Sequence, residues 1–294
     1  MAISSRHIQG TLLTALGVLV LTPDGLLVRL IHADTWTLLF WRGVFFATGI
    51  FGFYAILHGR QVIAKTIGTG LRGLQAAFFF TLSTVCFVLA LHGTSVANTL
   101  VIIAMAPLVS AVISLIFLKE KVSLSTWIAI FVSSGGIAFI FKGSLNSEHL
   151  WGDIFAVGAA VSIAAHITTV RVAKHMDMVP TLGISGLMIA AIGLLLSDSL
   201  QVSQSDFLYL VLLGVFVLPL AFGLITVGPR FIPAAEVSLL MLLETFLGPV
   251  WVWLVIGEVP SNETLIGGTL VLLTLVLHTI YNARRKPAGT LSTT

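Results

Sequence analysis

Apolar residues fall in ten blocks of about twenty, separated by connectors too short to fold on their own. The blocks run 9–31, 35–57, 70–92, 94–117, 123–141, 152–173, 179–197, 206–227, 234–257 and 262–282. A helix rises about 1.5 Å per residue, so about twenty apolar residues cross the roughly 30 Å hydrocarbon layer of a bilayer. Strands of a membrane barrel would instead alternate polar and apolar positions in segments of about ten. The pattern predicts an all-α integral membrane protein with ten transmembrane helices. The longest connectors, 59–69 and 142–151, are polar and rich in Gly or Ser.

The blocks repeat after the fifth. An offset of 138 carries Ala97 to Ala235, Asn98 to Glu236, Pro107 to Thr245 and Glu120 to Glu258. An offset of 142 carries Gly10 to Gly152, Asp24 to His166 and Val28-Arg29 to Val170-Arg171. Five is odd, so the second set enters the bilayer from the opposite side. The expected organisation is two inverted five-helix repeats, 9–141 and 152–282. Inverted repeats build many secondary transporters, with the site at their interface near the midplane.

Composition narrows the class. With 57% hydrophobic and 9% charged residues the chain is not a soluble globule. A net charge of +3 would raise nucleic acid in a soluble protein, but here Lys and Arg sit between spans, so no nucleic-acid partner is expected. With the N-terminus inside, one side receives Arg6, Arg60, Lys65, Arg72, Lys119, Lys121, Arg171, Lys174, Arg230, Arg284, Arg285 and Lys286. The other receives only Arg29 and Lys142, while Arg42 lies within a span. That asymmetry places both termini in the cytoplasm. The apolar stretch after Arg6 continues to Ile31 without a small-residue cleavage site and reads as the first span. Cys86 is the only cysteine, so no intrachain disulfide can form. Trp36, Trp127 and Trp151 lie near span ends, where interfacial anchors sit.

Ionisable residues inside spans carry the candidate chemistry, because a charge in the bilayer costs at least a few kcal/mol and faces a partner or a cavity. Asp24, beside Pro23, and Arg42 come at similar depth in the outer halves of the first two spans. A buried arginine needs a counter-charge whatever its function, so this pair could lock two helices as well as line the outer mouth of a cavity. Glu244 reaches about mid-depth in the ninth span and has no acidic counterpart, since the offset maps it to Ala106. His166 lies in the inner half of the sixth span. A lone helical histidine is more often a packing residue, yet beside a carboxylate it could pass a proton. Glu244 and His166 are thus the expected coupling or gating pair, with a proton as coupling ion. Glu236 and Asn98 occupy first turns, where a carboxylate also suits a helix N-terminus; both could face the vestibule.

Pro23, Pro107 and Pro249 are the hinge candidates, and Pro219 also falls inside a span. Gly135-Gly136 and Gly267-Gly268 suit close helix contact. Metal-ligand clusters, a phosphate-cradling glycine loop and a serine-nucleophile motif are all missing from the sequence, so an enzyme is disfavoured and no cofactor or metal is expected.

The doubled elements resemble the paired EamA domains of the drug/metabolite transporter superfamily. They are Ser95-Val96-Ala97, Ala106-Pro107 and Leu118-Lys119-Glu120, then Pro233-Ala234-Ala235, Leu243-Glu244 and Gly257-Glu258. Arg42 stands where that family has an arginine in its second span, and Arg29 and Arg171 stand where basic residues end its first and sixth spans. The resemblance covers about residues 10–282. It implies a basket of ten helices in which spans 1, 3, 4, 6, 8 and 9 surround a central cavity. It also implies export, or sometimes exchange or uptake, of amino acids and other small metabolites across the bacterial inner membrane. Leu21 and Ile163 replace tryptophans common in the family, and Asp24 replaces an Asn. An acidic mouth favours a substrate with an amino group.

Overall fold

The structure is a computed structural model. It describes residues 5–59, 61–119, 123–144, 149–173, 176–227, 231 and 234–285. The described residues form helices and connections with no strand. In chain order the helices are α1 (Ser5–Leu21), α2 (Asp24–Leu30), α3 (Thr35–His58), α4 (Gln61–Gly68), α5 (Gly70–Gly93), α6 (Val96–Ile103), α7 (Ala106–Leu118), α8 (Leu124–Ser144), α9 (Leu150–Val172), α10 (Val179–Leu196), α11 (Gln204–Val211), α12 (Leu218–Val227), α13 (Ala234–Ile256) and α14 (Asn262–Arg285). Eight stretches are long and apolar enough to cross a membrane, the first being Ile8–Leu30 and the eighth Gln204–Val227. Leu240–Ile256 and Asn262–His278 are the apolar stretches of α13 and α14 among the described residues.

Proline explains most interruptions. The first span breaks at Thr22-Pro23 into α1 and α2, since Pro23 has no N–H to donate back. Thr22 bonds its hydroxyl to Leu19 O at 2.8 Å across the break. The fourth span breaks at Ala104-Met105 into α6 and α7, with Pro107 in the first turn of α7. The eighth passes from α11 to α12 through a π-helical turn, Leu212–Val217, just before Pro219. Pro249 behaves differently from the other two hinge candidates, because it lies within a continuous α13.

Helix pairing follows the two halves of the chain. α1 packs on α12 and α5 on α9; α3 packs on α10 and α8 on α14. α13 packs on α1 and α2, while α6 and α7 pack on α9. Exchanging the first five apolar blocks with the last five carries each of these pairings onto another in the set or onto itself. Two crossings at mid-helix bring backbone close to backbone. A Cβ on Gly43 of α3 would stand 2.6 Å from Gly186 O, and one on Gly186 of α10 would stand 2.9 Å from Gly43 O. Likewise a Cβ on Gly136 would meet Gly267 O at 2.9 Å, and one on Gly267 would meet Gly136 O at 2.5 Å. Only one glycine of each expected doublet makes the crossing; Gly135 faces open space.

Phe46, Leu21, Leu38, Leu91, Leu182 and Leu213 are among the buried side chains of the main core. Outward-facing Leu12, Ile56, Leu71, Phe117, Phe131 and Leu195 are exposed and present the apolar belt a lipid-embedded surface requires.

Candidate functional site

Of the polar contacts that join the halves of the chain, two assemblies hold the candidate residues, one at mid-span and one at the end where α2, α5 and α13 finish.

The mid-span assembly starts from the Thr22-Pro23 break. Restarting the helix at Asp24 puts a carboxylate in the first turn of α2, a favourable place for a negative charge. Arg42 on α3 meets it with both terminal nitrogens, at 2.6 and 2.8 Å. Each residue is only 3% exposed. The fork-on-carboxylate geometry is the strongest a buried pair can adopt, and here it neutralises both charges. The Arg42 guanidinium also lies 5.9 Å from the centre of the Phe87 ring, and its Nε is buried without a hydrogen-bond partner among the described residues.

α13 packs against the same break. Gly248 lets the helix approach, since a Cβ there would stand 2.4 Å from Leu100 Cδ1 and 3.8 Å from Thr22 O. Trp251 donates its indole N–H to the Thr22 hydroxyl at 3.0 Å. Glu244 lies four residues before Gly248 and seven before Trp251, on the same face of the helix. It is half-buried and near enough to feel the charges of Asp24 and Arg42, with no ion pair to either among the described residues.

His166 has other neighbours. Its Nδ1 lies 2.8 Å from Ala76 O on α5, and its ring meets Phe80 edge-on at 5.1 Å. Phe80 in turn packs on Phe222 and Phe46. Among the described residues no hydrogen bond or ion pair links His166 to Glu244. α9 turns His166 toward α5, where its ring nitrogen meets Ala76 O.

At the end of the molecule, Glu258, just after α13, accepts Val96 N–H at 2.8 Å and lies 3.3 Å from Arg29 Nη2. Arg29 Nη2 also donates to Thr94 O at 2.7 Å. Asn98 Nδ2 donates to Asp153 Oδ1 at 3.2 Å and to Thr94 Oγ1 at 3.1 Å. Thr264 Oγ1 donates to Asn98 Oδ1. Asp153 is fully buried, and its Oδ2 has no partner among the described residues. Arg29, Glu258, Asn98, Thr264, His92 and His149 border a polar cavity of about 410 Å³. A smaller cleft of about 250 Å³ between α6, α13 and α14 is apolar and carries no comparable chemistry.

The EamA-like transporter family matches residues 8–142 and 150–280, two copies that together cover nearly the whole chain. The chain belongs to the EamA-like transporter family. Members of this EamA-like family are membrane transporters of small molecules rather than enzymes, and the chain is a multi-pass membrane protein. No curated protein matches it. A solved structure titled "Crystal structure of protein" matches with a TM-score of 0.69 at 15% identity, covering 95% of this chain and 100% of that one, which shows a shared fold.

Against the two EamA-like copies, both assemblies cross the boundary. Asp24 and Arg42 belong to the first copy and Glu244 to the second. In the end assembly, Arg29, Val96 and Asn98 belong to the first, and Asp153, Glu258 and Thr264 to the second. Asn98, a vestibule candidate, is a bonded member of that network. The side chain of Glu236 lies outside the described residues, as does Glu120. Trp41 is held by Leu200 O at 3.0 Å and by stacking on Phe45, which ties it into the scaffold. Sequence reasoning missed Asp153 and Thr264 altogether. The offset of 142 maps Asp153 back to Thr11, so a first-turn acid without an acidic counterpart was an available signal.

Proposed function

We propose that this chain is a secondary permease whose ten spans form two inverted five-helix repeats around a central cavity. It exports amino acids or related small metabolites across the bacterial inner membrane by alternating access. Both termini are cytoplasmic, and a proton is the coupling ion. The observation that carries this reading is the Asp24–Arg42–Glu244 cluster, in which mid-span charges from both repeats converge. A bilayer protein has no structural need for a third charge beside an already neutral pair, so Glu244 has work to do there.

One further fact supports it. The helix pairings are preserved when the two halves are exchanged, as inverted repeats about an in-plane axis require. The Arg29–Glu258 and Asn98–Asp153 contacts fasten one repeat to the other at one end, and Tyr54–Asp177 and Thr126–His278 hydrogen bonds join them at the other. The Lys and Arg distribution assigns the Arg29–Glu258 end to the outer face.

The test is flux through purified protein in proteoliposomes. Saturable uptake or counterflow that responds to an imposed pH gradient, and that falls in Glu244→Gln, is the expected result. Linear, non-saturating flux would indicate a channel, and no flux of any amino acid or related metabolite would remove the reading.

A further inference from the structure

We infer that the substrate is a cationic amine with an apolar body and no carboxylate that must be bound, held by its nitrogen at Glu244. This rests on the reading of the Asp24–Arg42–Glu244 cluster as the transport site, and within that reading it sets the amino acids aside in favour of the related small amines.

Charge bookkeeping at the cluster comes first. Asp24 spends both carboxylate oxygens on Arg42, and Arg42 spends both terminal nitrogens on Asp24. Three guanidinium N–H bonds remain, one on each terminal nitrogen and one on Nε, but the two side chains are only 4% and 5% exposed. The pair is closed to a ligand. Glu244 faces it from α13, aligned with Gly248 and Trp251 against the Thr22-Pro23 break, and it makes no hydrogen bond to any described residue. A half-buried carboxylate in this position is the one open charge of the cluster, and a ligand cation is its natural complement.

A carboxylate on the ligand would find no equivalent among the described residues. Arg29 is engaged by Thr94 O and Glu258 at the far end of α2. Lys142 and Arg171 are exposed at the ends of α8 and α9. A zwitterion would have to bring its negative group into the bilayer interior beside two carboxylates. Two partly buried apolar side chains border the cluster: Phe87, whose ring centre lies 5.9 Å from the Arg42 guanidinium, and Met241, one helical turn before Glu244. Electrostatics therefore select against acids and α-amino acids, and the walls select for an apolar body.

Three probes with one body isolate the charge: 2-phenylethylamine (cation), phenylalanine (zwitterion) and 3-phenylpropionate (anion). Each is titrated against purified full-length protein, with thermal stabilisation as the readout. The amine should stabilise the wild type saturably, the other two should not, and Glu244→Gln should weaken the amine by roughly tenfold or more. Glu244→Asp, which keeps the charge, should retain the preference and guards against a folding defect in the glutamine variant. If phenylalanine binds as tightly as the amine and Glu244→Gln abolishes both, the substrate class is overturned while the site stands. If the amine binds equally to wild type and Glu244→Gln, the site at Glu244 falls as well. Saturable binding by none of the three also overturns the inference.

Discussion

Glu258 accepts the Val96 backbone N–H at 2.8 Å, so a residue just beyond α13 caps the start of α6, 162 positions away in sequence. The same carboxylate reaches Arg29 at 3.3 Å through its other oxygen. One side chain thereby fastens helix ends from both halves of the chain. The ion pair is partly exposed, so its own strength is modest. A double-mutant cycle on Arg29→Ala and Glu258→Ala should give a coupling of about 0.5–1 kcal/mol, read from thermal unfolding. Glu258→Ala should cost about 1 kcal/mol beyond that coupling, because it also removes the helix cap.

Asp24 and Arg42 form a fully buried pair, and each alone is a liability. Asp24→Asn or Arg42→Met should destabilise by about 3–5 kcal/mol, since an unpaired charge or donor fork stays behind. The double variant should recover much of the folded yield. Size-exclusion profiles in detergent would check this; equal yields for single and double variants would argue against a mutually dependent pair.

His166 behaves as a packing and hydrogen-bonding residue. His166→Gln should keep transport and its response to a pH gradient within a few-fold of wild type, whereas Glu244→Gln should lose the response. His166→Ala should cost about 1–3 kcal/mol by removing a buried hydrogen bond to Ala76 O and leaving a cavity beside Phe80. Flux under imposed gradients and thermal unfolding together separate these roles.

Gly43 and Gly186 tolerate no side chain. An added methyl at Gly43 would stand 2.4 Å from Ala190 N, a backbone atom that cannot swing aside. Gly43→Ala should lower thermal stability by about 1–3 kcal/mol or more through overpacking. Gly52→Ala on the same helix is the control: nothing lies within 4 Å of its added Cβ, and helix propensity should favour it by about 0.5–1 kcal/mol.

Much of this architecture was legible in the residues because the bilayer imposes simple rules. Apolar length marks the helices, and Pro23 and Pro107 mark breaks because a missing N–H cannot be hidden in lipid. Asp24 and Arg42 were legible as partners since each needs the other at the same depth. Azimuth was not legible. Depth alone suggested that Glu244 and His166 meet, but the rotation of α9 about its axis, set by packing on α5, turns the imidazole elsewhere. The end network was hidden for a different reason: its acceptors and donors include Thr94 O and Val96 N–H, and backbone groups leave no residue-type signal.

The α3–α10 crossing has a mechanical consequence. Side chains between helices act as springs, since rotamers can change as the spacing changes. At Gly43 and Gly186 there are none, and backbone rests directly on backbone. Such a contact resists compression yet permits rotation, like the bearing of an axle. If the two halves rock, motion is smallest at this crossing and grows toward the helix ends, where the clasp of Arg29, Glu258 and Val96 has the longest lever arm.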